Sequence, residues 1–153
     1  VGNRRRALNK NILTFFNKKT SKENRKARKM ELEFEKLTEN IIAASIEVHK
    51  TLGPGFLESV YENALSLEFE TRDIPYKRQW EISIFYNGKE VGKHRLDMFV
   101  FNKFVVELKA IKEVTNEHFA IVRSYLKAVR QRHGLILNFA KPILEIKRVI
   151  FTG

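Results

Sequence analysis

Arg95-Leu-Asp-Met-Phe-Val-Phe-Asn-Lys-Phe-Val-Val-Glu-Leu-Lys109 is the stretch on which the reading of this 153-residue chain turns. Apolar and β-branched residues dominate it and Asn102-Lys103 interrupts them, so it reads as two short strands about a tight turn. Side chains alternate along a strand, which places Leu96, Met98 and Val100 on one face of the first strand and Asp97 and Phe99 on the other. On the second strand Val106 and Leu108 share a face, and Val105, Glu107 and Lys109 share the opposite one. Two carboxylates and an ammonium among such neighbours are costly unless they are paired. They suit a place where a divalent cation and a water are held together. The plainer alternative is a partly exposed cross-strand charge cluster, worth well under ~1 kcal/mol.

The two readings differ in register. A two-residue turn at Asn102-Lys103 sets Asp97 opposite Leu108, on the wrong face. A three-residue loop, Phe101 to Lys103, or a bulge sets it opposite Glu107. The metal-site reading therefore predicts an odd loop or a bulge.

Working outward, the chain is long enough for one domain with a real core, and 43% of it is hydrophobic. No apolar run approaches the ~18 residues of a membrane span. The absence of cysteine excludes disulfides, thiolate metal sites and a thiol nucleophile, and it fits a reducing compartment such as the cytoplasm. The net charge of +11 is unevenly placed. Residues 1–30 carry 11 Lys/Arg and one acidic residue, whereas residues 31–153 carry 18 basic and 17 acidic residues. The basic character thus belongs to a tail. Residues 1–30 read as a disordered arm for phosphates, as a basic amphipathic segment with Leu8, Ile12, Phe15 and Phe16 on one stripe, or as sequence upstream of a true start at Met30. Residues 31–153 read as the domain.

Within that domain Thr38 reads as an N-cap and Glu39 as a first-turn acid. Ile41, Ile42, Ser45, Val48 and Leu52 recur at helical spacing until Gly53-Pro54-Gly55 ends the helix. A second helix is expected from Leu57 to Thr71, with Leu57, Val60, Tyr61, Ala64, Leu65 and Leu67 turned inward. Strand alternation follows at Trp80, Ile82, Ile84 and Tyr86, and Asn87-Gly88 is the dipeptide favoured in a two-residue hairpin turn. Val91–Val100 and Phe104–Lys109 are the next strands. A helix over residues 116–132 carries Phe119, Val122, Tyr125, Leu126 and Val129 inward, with Arg123, Lys127 and Arg130 outward. Strands at Leu135–Phe139 and Ile143–Phe151 complete the order ααβββαββ, an α/β or α+β fold with a mixed sheet.

Mg²⁺ takes oxygen ligands, commonly one or two carboxylates with waters and substrate phosphate. Asp97 and Glu107 offer two such carboxylates, and Lys109 stands on the face of Glu107, where an ammonium can orient water or stabilise a phosphate oxygen. Glu58 follows a glycine-rich turn at the start of a helix, a position the helix dipole favours without any further role. Tyr61, on the same side, is by default an aromatic at the core edge.

Gly55-x-x-Glu58-x-x-Tyr61 resembles the signature of the small prokaryotic GxxExxY proteins of the PD-(D/E)XK nuclease superfamily. The resemblance extends from Leu37 to Ile150 through Ile46-Glu-Val-His49, Arg95-x-Asp97, Glu107-Leu-Lys109, Tyr125-Leu-Lys-Ala128, Asn138-Phe139 and Leu144-Glu-Ile-Lys-Arg148. It implies a restriction-endonuclease-like core and a Mg²⁺- or Mn²⁺-dependent nuclease in which water attacks a DNA phosphodiester in line. By that mapping Asp97 and Glu107 are metal ligands and Lys109 is the catalytic lysine. Glu58 completes the site or helps bind a second ion. Arg123, Lys127 and Arg130 could follow a backbone phosphate, against the simpler reading of a solvated helix face. His118 matches the pattern and equally suits a helix start, while His49, His94 and His133 are assigned no role. One position departs: the pattern has glutamine four residues before the tyrosine, and here it is Ile121. A nuclease-like module that binds nucleic acid or protein without cutting is therefore the rival reading. Many nucleases cut both strands as dimers, but no residue pattern marks an interface.

Overall fold

A computed structural model describes the backbone of residues 2–153 and the side chains from Lys10 onward. The chain divides into two compact units, residues 1–39 and residues 40–153. The first helix, α1 (Gly2–Leu52), accounts for unit one and supplies the opening turns of unit two. The expectation of a helix starting at Thr38 is corrected here. No proline or glycine interrupts residues 3–52, and Arg, Lys, Glu, Ala and Leu are good helix formers. Thr38 does not cap: its hydroxyl donates back to Phe34 O at 2.8 Å, a mid-helix bond. Ile12, Phe15 and Phe16 of the expected stripe are at least half exposed, and the Leu8 side chain lies outside those described.

In unit two, α1 ends at Gly53, whose φ of 68° suits glycine, and Gly55 at φ 111° completes the turn into α2 (Glu58–Thr71). The inward stripe of α2 is Tyr61, Leu65 and Phe69, four residues apart, with Glu62 and Ser66 beside it. Two expected core residues are exposed instead. Leu57 is the extended N-cap at ψ 154°, off the helix, and Leu67 falls on the opposite face.

Five strands follow: β1 (Tyr76–Tyr86), β2 (Lys89–Val100), β3 (Phe104–Lys109), β4 (His133–Asn138) and β5 (Glu145–Ile150), with α3 (Asn116–Val129) between β3 and β4. They form one sheet in the order β1-β2-β3-β4-β5. Only β3 and β4 run parallel, as the α3 crossover demands, so the sheet is mixed. The expected turn at Asn87-Gly88 is present, both residues having positive φ. In β3 every residue from Phe104 to Leu108 is buried, which explains its unbroken apolar run. Leu96, Phe99, Val105, Val122, Leu126, Ile136 and Val149 make one core cluster beneath α3. Gly134 lets α3 come close, because a Cβ there would lie 2.9 Å from Val122 Cγ1 and 3.2 Å from Val105 O. The result is the expected mixed sheet flanked by helices.

Candidate active site

The β2–β3 hairpin has the odd loop. Val100 pairs with Phe104, leaving Phe101, Asn102 and Lys103 as a three-residue connection in which Phe101 and Asn102 are left-handed, at φ 56° and 52°. Pairing continues through Phe99↔Val105 to Met98↔Val106 and stops there. At the next position the carboxylates replace the ladder. Glu107 Oε1 accepts the Asp97 N–H at 3.1 Å, and Asp97 Oδ2 accepts the Leu108 N–H at 3.0 Å. The two acids are thus drawn together across the hairpin. The strand alternation expected through Leu96 to Phe99 is corrected: Leu96 and Phe99 lie in the same core cluster, so the alternation slips at Asp97. On the β1 side the pairing also skips this position, between Arg78↔Met98 and Trp80↔Leu96.

The electrostatics follow from that crowding. Glu107 is 4% exposed, and burial together with the neighbouring charge of Asp97 pushes its carboxyl up to about 8. The Asp97 N–H and Lys109 pull the other way without prevailing. Lys109 Nζ stands 3.9 Å from Glu107 Oε2, beyond a hydrogen bond, and its side chain is 25% exposed against 6% for Glu107. Lys109 therefore reaches from the interior to solvent. The pair of carboxylates is short of positive charge. Their donor set, two acids from adjacent strands with hard oxygens, fits Mg²⁺ or Mn²⁺ supplemented by water and phosphate. Among the described residues no three acidic or histidine side chains converge on a common point.

Glu58 stands at the edge of this pair rather than in hydrogen-bonding contact with it. It is solvent-exposed at the start of α2, though enough protein surrounds it that desolvation raises its carboxyl. Lys109 opposes that rise and Asp97 and Glu62 add to it, so Glu58 shares the same electric field. Tyr61 explains the spacing of the glycine-turn motif. Its hydroxyl donates to Gly53 O at 2.6 Å and accepts the Phe56 N–H at 3.1 Å, while its ring stacks on Phe139 at 4.5 Å. Tyr61 thus fastens the turn that delivers Glu58. His118 Nδ1 accepts the Thr115 N–H at 2.9 Å, a helix-start bond that leaves Nε2 for other partners. His49 is structural: Nε2 meets Lys141 O at 2.8 Å. Arg123 and Lys127 are exposed on α3, and Arg130 is its left-handed C-cap.

Four residues near the carboxylate pair had no site role in the sequence reading, although Tyr125 and Asn138 stand in the motifs quoted there. Tyr125 has its hydroxyl raised first by burial and then by the charges of Glu107 and Asp97. Asn138, fully buried, bonds Ile111 through both amide atoms, at 3.1 and 2.9 Å, and so holds the segment after Lys109. Gln79 bonds Glu62 and reaches towards Asp97. Glu62, one helical turn after Glu58, offered a visible signal in its spacing; Gln79 offered none.

The chain belongs to the PD-(D/E)XK nuclease superfamily, whose sequence model matches residues 35–149. None of the curated proteins matches the chain in sequence. Among solved structures, the crystal structure of SSO0001 is similar with a TM-score of 0.49 and 16% identity, over 61% of this chain and 49% of its own. The chain thus spans about half the length of that structure.

Proposed function

We propose that the chain is a Mg²⁺- or Mn²⁺-dependent phosphodiesterase that cuts DNA, and that it is of the GxxExxY type. The observation that carries this reading is the Asp97–Glu107 exchange at the break in the ladder, with Lys109 leading from it to solvent. Asp97 and Glu107 would hold the cation. When bound, the ion would supply charge neutralisation at the phosphate and a more acidic water.

Lys109 performs the remaining positioning. Its ammonium, tethered beside Glu107, donates to the water aligned for in-line attack and to the phosphate oxygen on which charge grows. Glu58 balances Lys109 at the outer edge and would help hold a second ion. Tyr61 keeps Glu58 there by fixing the glycine turn. Arg123, Lys127 and Arg130 follow the DNA backbone, a contact that weakens with salt. The setting we propose is the cytoplasm of a prokaryotic cell, in keeping with the lack of cysteine. Among the described residues no helix is long and apolar enough to cross a membrane.

The test is incubation of the full chain with single- and double-stranded DNA and RNA in Mg²⁺, Mn²⁺ or chelator. Cleavage of DNA that chelator abolishes is the expected outcome. The second reading, a nuclease-fold module that binds without cutting, draws on Ile121, which is 45% exposed where the GxxExxY pattern has glutamine. Binding without metal-dependent turnover, restored to turnover by Ile121→Gln, would establish it.

A further inference from the structure

Gln79 lies within β1 yet has a φ of 45°, a left-handed conformation uncommon for a residue with a side chain. It occupies the position that would pair with Asp97, where the β1–β2 ladder is skipped. Its amide Nε2 donates to Glu62 Oε1 and Oε2 at 3.1 and 3.0 Å, and reaches Asp97 Oδ1 at 3.5 Å. Glu62 is 9% exposed and is held from the other side by Arg78 Nε at 3.2 Å. Arg78 in turn bonds Asn63 Oδ1 at 2.6 Å. An ionised carboxylate only accepts hydrogen bonds, so the two acids select the nitrogen end of the amide between them. A strained backbone thus aims one amide at two carboxylates from different elements.

We propose that Gln79 is a positioning residue for Asp97, oriented by Glu62 and Arg78 from α2 and β1. This rests on the metal-site reading above. Asp97 Oδ2 is already taken by the Leu108 N–H, so Oδ1 is the oxygen whose direction remains to be set. The Gln79 amide sets it, and it also stands between the negative charges of Glu62 and Asp97. The left-handed φ goes with the skipped pair, across which the side chain reaches Asp97 and Glu62.

The probe is Mn²⁺, titrated into the full chain and followed by electron paramagnetic resonance, at a temperature where circular dichroism shows each variant folded. Gln79→Gly suits the test because glycine takes a positive φ without strain, so the fold is kept while the amide is lost. The expected result is a Mn²⁺ affinity ~10- to 100-fold below the parent, the usual effect of removing a group that orients a ligand. Glu62→Gln, which leaves the amide without its orienting charge, should weaken binding in the same direction. Asp97→Asn serves as reference and should lose the ion. If Asp97→Asn loses Mn²⁺ while both other variants keep parental affinity, the role of Gln79 is overturned and the metal site stands. If the parent binds no Mn²⁺, or Asp97→Asn binds as the parent does, the metal-site reading fails and this inference with it.

Discussion

At Glu107 burial and the charge of Asp97 act in the same direction, and the carboxyl rises from its ordinary 4.5 to about 8. A carboxyl raised in the folded state favours folding most when it is protonated. That contribution is whole below about pH 4.5 and is lost as the pH climbs towards 8. Metal-free protein should therefore melt at progressively lower temperature from pH 5 to pH 8. Glu107→Gln should flatten the dependence, and thermal melts across that range check it. Lys109 is a different case. Its ion pair is long and its side chain partly exposed, so it adds little to the fold. Lys109→Ala should melt close to the parent but lose ~10²- to 10³-fold in cleavage rate, the usual effect of removing one preorganised donor. That Asp97, Glu107 and Lys109 share one hairpin was legible in sequence, because charged residues interrupt an otherwise apolar stretch there. What they do together was not, because a charge pattern alone suits a plain cross-strand cluster equally well. Gln79 was not, because its importance comes from a positive φ and a skipped strand pair, which no pattern of residue types displays.

Elements place these residues through a few contacts. The turn from α1 to α2 hangs on the Tyr61 hydroxyl, which serves Gly53 O and the Phe56 N–H together. Tyr61→Phe leaves both partners to find water and should cost about 1–3 kcal/mol in chemical denaturation, with faster amide exchange confined to the turn. Under α3, Gly134→Ala would push a methyl into Val122 and the Val105 carbonyl. The expected cost is about 1–3 kcal/mol, the usual penalty for overfilling a packed core. Alternation and turn residues made the strands and the Asn87-Gly88 hairpin legible. The start of α1 was not, because Thr38 resembles a cap and only its bond back to Phe34 shows otherwise. The slip at Asp97 was hidden for a related reason: strict alternation assumes an intact ladder, and the ladder breaks at the site itself.

Along the whole sequence, the basic charge and the carboxylate pair fall in different stretches. Residues 1–30 hold a net +10, whereas the carboxylate pair and Lys109 belong to the nearly neutral remainder. A chain begun at Met30 should therefore keep its cleavage rate while binding DNA more weakly and with a shallower salt dependence, as measured by titration at several ionic strengths. The fold class was legible because five strand signals and an intervening helix leave few topologies open. The convergence of Asp97 and Glu107 was legible only as a conditional on loop length, and the three-residue loop satisfies it. The central claim, that these two carboxylates and Lys109 form a metal-dependent phosphodiesterase site, is tested most directly by one assay. DNA is incubated with the full chain and with Asp97→Asn, in Mg²⁺ and in chelator. Cleavage by the parent in Mg²⁺ alone, absent from Asp97→Asn, is the expected result. Equal cleavage by both proteins, or none by a parent that still binds DNA, would contradict it.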